Sequence, residues 1–484
     1  MKRNQKIIAA ICLLLLIPCF VIPVSANSRA QEWFGVDSNG VIVLGENVPI
    51  EVTSELLTFD IPTLPYASYR DAETFMAYDS KVTAEYTFHN PTDMTVTATL
   101  LFPFGKYPEY AKVSDGTHSI NSDIYLDKYG VKINGEEIET KVRHTLSKFQ
   151  DNGYFDVDKE IIKISNDYMS NGDLTPDSPV IRYSYTVSGI NYDTLQNSDS
   201  SLVIKYYGSP SDLYFIRDNL ISNFSGSGIE LSASLKSNYQ EVVFYTIGKP
   251  IDESELQAEA IARFTGSNST YPVIGKIDAD IALRTTEMTL KDYILAEYSE
   301  EDKVSMVDWY NTVINNIEII QPNGYQKVVK IDTDLKYYSL DRWFEYEITL
   351  APGESITNTV TAPLYPEIEA WDRPIKYNYT YYLSPASTWA NFGELEILVN
   401  TPHYMTVSSV NGFEKTDNGY RLIRQGLPTN EFGALDLTFT IEASDDIALN
   451  QPAGDIFTSI FEWIGNLLLG IFIVIMWIFG HLFA

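Results

Sequence analysis

Carboxylates are the side chains in this sequence whose spacing invites chemistry. Asp156, Asp158 and Glu160 alternate, so on a strand of period two all three project from one face. Like charges held that close call for a neutralising cation, and Ca2+ is the hard, oxygen-seeking ion that suits them. Asn171-Gly172-Asp173 and Asp177 follow nearby. Neither group carries the fixed glycine and terminal glutamate of the twelve-residue calcium loop. The three acids are therefore candidate calcium ligands, set against a solvated acidic loop. A glycosidase pair could also sit among the 65 acids, but spacing alone selects none.

Other chemistries have less to stand on. His89, His118, His144, His403 and His481 include no pair three or four residues apart, so no helical histidine pair can hold a metal. There is no phosphate-cradling G-x-x-x-x-G-K-[ST], no S-x-x-K and no G-x-S-x-G elbow. Ser225-Gly226-Ser227-Gly228 is the nearest approach to that elbow and reads as a turn. Tyr377, Tyr379 and Tyr381 share one face of an alternating segment, with Trp389 just beyond. Such a strip can stack sugar rings or contact a partner. Packing into a β-sheet core explains it at least as well, and packing is the favoured reading.

The elements that must position these residues are mostly strands. Lys81–His89 and Thr95–Phe102 alternate around Asn90-Pro91-Thr92-Asp93, which predicts an antiparallel hairpin. Asn134-Gly135 predicts a second hairpin over Gly130–Arg143. Strand patterns recur at Val180–Val187, Ser201–Tyr207, Glu241–Ile247, Phe344–Leu350, Ser355–Ala362, Ile375–Leu383, Glu394–Val399 and Leu435–Ile441. Between them, Glu253–Phe264 is rich in helix formers. Thr289 with Asp292 and Ser299 with Asp302 have helix-capping spacing.

The segment from Glu55 through KVTAEYTFHNPTDMTVTATLLFPFG resembles the opening of an uncharacterised family of exported bacterial proteins. Tyr377–Val399 and Asp308-Trp309-Tyr310-Asn311 resemble later parts of that family. The first hairpin is also similar to the β domain of vault proteins and inter-alpha-trypsin inhibitor chains. The resemblance implies an exported β-rich fold and carries no activity with it.

Composition and the chain ends supply the setting. The net charge is −31, and residues 1–26 hold three basic residues and no acid, so removing them leaves −34. That balance excludes nucleic acid, which binds through Lys and Arg. Residues 1–26 combine a basic start, an apolar run and Val24-Ser25-Ala26, the pattern of a secretory signal peptide. Cys12 and Cys19, the two cysteines, both lie within it, so the mature chain has no thiol. The box before Cys19 carries Pro18 where a lipoprotein needs a small residue. Export without disulfides suits a Gram-positive cell. Residues 456–484 contain an apolar run long enough to cross ~30 Å of hydrocarbon as a transmembrane helix.

The expected fold is mainly β: two antiparallel β-sandwich-like domains with a helical segment between them. The boundaries read as signal peptide 1–26, N-terminal β domain 27–250, helical segment 251–325, C-terminal β-sandwich 326–445, linker 446–455 and membrane helix 456–484. The expected role is non-catalytic: a membrane-anchored, acidic surface protein with its ectodomain outside the cytoplasm, binding a protein or cell-wall glycan. The alternatives are a carboxylate-dependent glycan hydrolase and an accessory subunit of a membrane complex recruited through its C-terminal helix, where Glu462 and Asn466 need partners.

Overall fold

Alternating apolar and polar residues make strands, and strands dominate the computed structural model. It describes residues 25–443 apart from 27, 37–41, 44–47, 67–77, 109, 111–127, 147–156, 192–197, 209–212, 217–220, 226–227, 265–272, 301–303, 321–326, 333–339, 371–373 and 429–435. The apolar segments 1–24 and 456–484 lie outside these residues. Among the described residues, no helix is long and apolar enough to cross a membrane.

The mainly β expectation holds, but the chain is not divided in sequence order as expected. One unit comprises residues up to Arg143 and from Tyr338 onward; the other is the contiguous stretch His144–Tyr337. The stretch expected to be helical, 251–325, is largely β. Glu253–Glu255 is a single 3-10 turn, and Leu256–Phe264 is a strand between Ser198–Tyr206 and Val273–Lys276. Its helix formers are overruled by ladder hydrogen bonds on both sides and by burial of Ala260, Ile261 and Ala262.

In the discontinuous unit, three sheets contribute to one apolar core. Its largest sheet sets Glu51–Asp60 parallel to Phe392–Asn400 and antiparallel to Lys81–His89, which in turn pairs with Ser355–Pro363. A second sheet joins Arg29–Val36, Thr95–Gly105 and Asp341–Leu350. A third places Asp436–Glu442 between Lys376–Tyr382 and Tyr404–Ser408. Ser25–Ala26 adds a short parallel strand beside Tyr381–Tyr382.

The expected first hairpin is not a hairpin. Lys81–His89 and Thr95–Gly105 lie in different sheets, and the chain crosses between them at Asn90–Met94. Asp341–Leu350 and Ser355–Pro363 cross in the same way, at Ala351–Glu354. Asn90, fully buried, joins the two crossings. Its side-chain N–H groups donate to the carbonyls of Met94, Leu350 and Ala351 at 2.7, 3.1 and 3.1 Å. Its Oδ1 accepts from the Thr92 N–H and hydroxyl at 3.1 and 2.7 Å. Its backbone N–H donates to the Glu354 carbonyl, and its carbonyl accepts from the Gly353 N–H, both at 2.9 Å. The Asn134-Gly135 turn does form as expected, with φ of 51° and 85°, both in the left-handed region that an Asn-Gly hairpin turn requires.

A polar knot lies inside the discontinuous unit's apolar core. Ser28 is fully buried; its backbone N–H donates to the Tyr86 hydroxyl at 3.2 Å, and its own hydroxyl meets the Tyr346 hydroxyl at 3.0 Å. Asn358 Nδ2 donates to the same Tyr346 hydroxyl at 3.0 Å. The Tyr86 hydroxyl is held well above its usual range, first by burial and then by the nearby Glu55 carboxylate.

The contiguous unit packs a six-stranded and a five-stranded sheet around a second apolar core. Thr289 caps Leu290–Leu295 with the reciprocal Thr289–Asp292 bonds expected of a capping box. The longer helix starts later than expected. Ser305, not Ser299, is its cap, with the Asp308 N–H donating to Ser305 Oγ at 3.0 Å, and the helix runs Met306–Asn315. Residues 308–314 of this helix are all buried.

Candidate functional site

The discontinuous unit carries an open cleft of about 450 Å3 at one end of its largest sheet, lined by Asp60, Asp79, Lys81, Asn400, Asp417 and Asn418 among others. Four separate chain segments meet there. Asp60 ends the strand Glu51–Asp60, and register sets it beside both Lys81 and Asn400. Asn400 Nδ2 donates to Asp60 Oδ1 at 2.8 Å, which fixes one carboxylate oxygen and leaves the other for a ligand. Asp417 and Asn418 come from the turn before Gly419–Gln425. That turn packs so closely on Phe392–Asn400 that a Cβ on Gly419 would run into the Val399 carbonyl, and Gly419 also has φ of +142°. Only glycine fits there. The Thr401 N–H then donates to the Asn418 carbonyl at 3.0 Å, closing the rim.

Asp79 supplies the third carboxylate. It faces Lys128 at 3.9 Å, and its charge helps burial push the Tyr129 hydroxyl up to about 12. The cleft thus offers carboxylate acceptors, two amides that both donate and accept, and the ammonium of Lys81. This is hydrogen-bonding chemistry suited to a ligand with many hydroxyl groups. Among the described residues, no group of three His, Cys, Asp or Glu is arranged to hold a metal ion.

The residues singled out from the sequence lie elsewhere. Asp156 is outside the described residues. Asp158 and Glu160 fall on the short helix Val157–Ile161 rather than on a strand. Positions two apart on a helix diverge by about 200°, so the alternation that suggested a shared calcium-binding face does not operate there. Glu160 is buried and paired with Lys163 at 2.6 Å. Lys163 also donates to the Leu146 carbonyl at 3.3 Å.

Tyr377, Tyr379 and Tyr381 are 0–1% exposed and Trp389 is 6% exposed, so none of them presents a ring to a ligand. They are core residues: Tyr379 stacks on Phe439 at 5.1 Å, Phe59 meets Tyr381 edge-on at 5.6 Å, and Trp389 lies 4.8 Å from Phe88. Burial pushes the Tyr377 hydroxyl up to about 12.

The cleft residues were not singled out from the sequence. Each is a strand-end, turn or loop residue, and they converge because strands 51–60 and 392–400 run parallel and end together, while 81–89 pairs antiparallel with the first and 419–425 with the second. The turn chemistry of Asp417-Asn418-Gly419 was the one local signal available.

No protein-family model matches the chain, and no curated protein matches it in sequence. One solved structure, a "putative nutrient binding protein" from Legionella pneumophila, aligns with 87% of this chain and 71% of its own. Its identity is 10% and its TM-score 0.28, too low to establish a shared fold.

Proposed function

We propose that this chain is an exported, membrane-anchored binding protein whose cleft takes a hydroxyl-rich ligand, a cell-wall glycan fragment being the class that fits. The observation that carries the reading is the convergence of Asp60, Asp79, Asp417, Asn400, Asn418 and Lys81 on one open cleft. Neighbouring hydroxyls of a sugar ring can donate to the carboxylates and accept from Lys81 and the amides. Hydrogen bonds to charged groups contribute about 1.5–3 kcal/mol each when well aligned, so two suffice for a hundredfold preference. The location part of the proposal draws on the sequence: a leader over residues 1–26 and a membrane segment over 456–484.

Calorimetric titration of the chain lacking 456–484 with wall glycan fragments tests the cleft. Binding that weakens about tenfold or more in Asp60→Asn and again in Asp417→Asn is the expected result. Binding of equal strength in the variants would remove the cleft from the proposal. Fractionation tests the anchor: the full chain should pellet with membranes at high salt and the truncated chain should not.

A further inference from the structure

The strand Asp280–Thr289 stands at one end of the six-stranded sheet of the contiguous unit. One side of it pairs along its whole length with Pro179–Ser188. Among the described residues, no strand lies along the other side. Ten residues make a long bare edge, and alternate residues turn their N–H and C=O groups outward along it. The apolar core reaches this rim, where Ile281 and Leu283 pack on it and are only half-buried. Asp280, Ala282 and Arg284 alternate with them and are exposed on the other face. Among the described residues, neither Asp280 nor Arg284 makes an ion pair. Glu241, on the face of Arg284, is bound instead by Ser184 and Arg182. Charges on an edge keep unrelated strands away. Here their signs are opposite and their spacing is four residues, which makes the edge complementary to itself.

We propose that this edge pairs with the same edge of a second copy of the chain, antiparallel, about a two-fold axis through Ala282. An axis normal to the sheet keeps each side chain on its own face, so only residues an even number apart can oppose each other. Centring on Ala282 sets Asp280 against Arg284 of the second copy, and by symmetry does so twice. It sets Ile281 against Leu283 of the second copy, also twice, and Ala282 against its own counterpart. No other centre opposes Asp280 to Arg284, and centring on Arg284 or on Glu287 would set like charges together. Opposite charges and apolar side chains facing each other across a strand pair are stabilising, and like charges there are destabilising. The pairing also satisfies the outward backbone groups and covers the half-buried rim at Ile281 and Leu283.

The test uses the full chain in detergent micelles. Sedimentation at up to about 0.2 mM, where a small interface is populated, should show a reversible dimer. Asp280→Arg or Arg284→Asp sets like charges opposite each other and should weaken the dimer about tenfold or more. The double variant Asp280→Arg, Arg284→Asp restores the complementarity and should restore the dimer. Circular dichroism checks that each variant is folded. For the register, Ala282→Cys is made in a Cys12→Ser, Cys19→Ser background. Directly opposed residues bring their Cα atoms to about 4.5–5.5 Å, within reach of a disulfide. Mild oxidation should therefore give a covalent dimer with Ala282→Cys and none with Thr286→Cys. A monomer at every concentration overturns the proposal and leaves the edge to a different partner. A dimer that ignores both charge reversals, or that is not cross-linked through Ala282→Cys, overturns it too, because its contact then lies elsewhere.

Discussion

The two units solve one problem, closing a β core, with opposite uses of the chain. The contiguous unit draws all its strands from 144–337, whereas the discontinuous unit brings together residues as far apart as Ser28 and Tyr346, 318 positions along the chain. Their interiors differ as well. The first encloses a helix by hydrogen-bonding it to loops. Asn311 Oδ1 accepts from the Met169 N–H at 2.9 Å, Asn311 Nδ2 donates to the Asp167 carbonyl at 3.0 Å, and Asn171 Nδ2 donates to the Ile314 carbonyl at 2.8 Å. The second ties its strands together at two uncharged polar knots, around Asn90 and around Ser28, and also buries the ion pairs Arg143–Glu345 and Lys106–Asp341. Long-range closure carries a larger entropy cost before contacts repay it. The discontinuous unit should therefore be the slower and more dependent of the two.

The largest expected effect tests that dependence. The fragment 144–337 expressed alone should melt cooperatively, as followed by circular dichroism. The fragment 27–143 alone should show no cooperative transition, because Glu51–Asp60, Lys81–His89 and Thr95–Gly105 each lose the neighbour strand on one side, which comes from beyond residue 338. A cooperative melt from 27–143 would break the comparison.

Next comes packing. Tyr379→Ala should cost about 3–5 kcal/mol in the discontinuous unit, by analogy with buried aromatic truncations, while Tyr379→Phe keeps the ring and should cost far less. Denaturant titration reads both. Asn90→Ala strips three donated and two accepted side-chain bonds from the two sheet crossings. It should cost about 2–4 kcal/mol through the buried carbonyls it orphans. Asn311→Ala is the counterpart in the contiguous unit. With fewer bonds lost, about 1–3 kcal/mol is expected, and the loss should be confined to the transition of that unit.

The smallest effect is electrostatic. Burial, and then the Glu369 carboxylate, raise the carboxyl of Glu367 above its ordinary range. A raised folded-state value means that its stabilising contribution is complete below the unfolded value of about 4.3 and is lost as pH rises through the folded value. Glu367→Gln should therefore gain stability relative to the parent as pH rises from about 4 to 7. A difference independent of pH would show that Glu367 is not the titrating group.

Local signals in the sequence reached as far as local structure. The strands, the Asn134-Gly135 turn and the Thr289 cap were legible because each depends on a few adjacent residues. The sheet partner of Lys81–His89 was not. Alternation reports that one face is buried, but a loop of the length of Asn90–Met94 can close a hairpin or cross to a facing sheet. Only the distant Ala351–Glu354 crossing that Asn90 binds decides between them. Ser299-x-x-Asp302 and Ser305-x-x-Asp308 have identical capping spacing, and burial of residues 308–314 chooses the second. The cleft was illegible for a related reason: its groups gather through a parallel pairing of segments more than 300 residues apart, which no spacing rule records.

The last described strand also has a mechanical meaning. Asp436–Glu442 is an interior strand, paired on one side with Lys376–Tyr382 and on the other with Tyr404–Ser408. The described chain leaves it at Glu442 and Ala443. Ladder hydrogen bonds lie across the strand axis, so a pull along that axis loads both rows in shear, sharing the force among many bonds rather than peeling them one at a time. Tension applied along that axis is therefore shared between the two neighbouring strands.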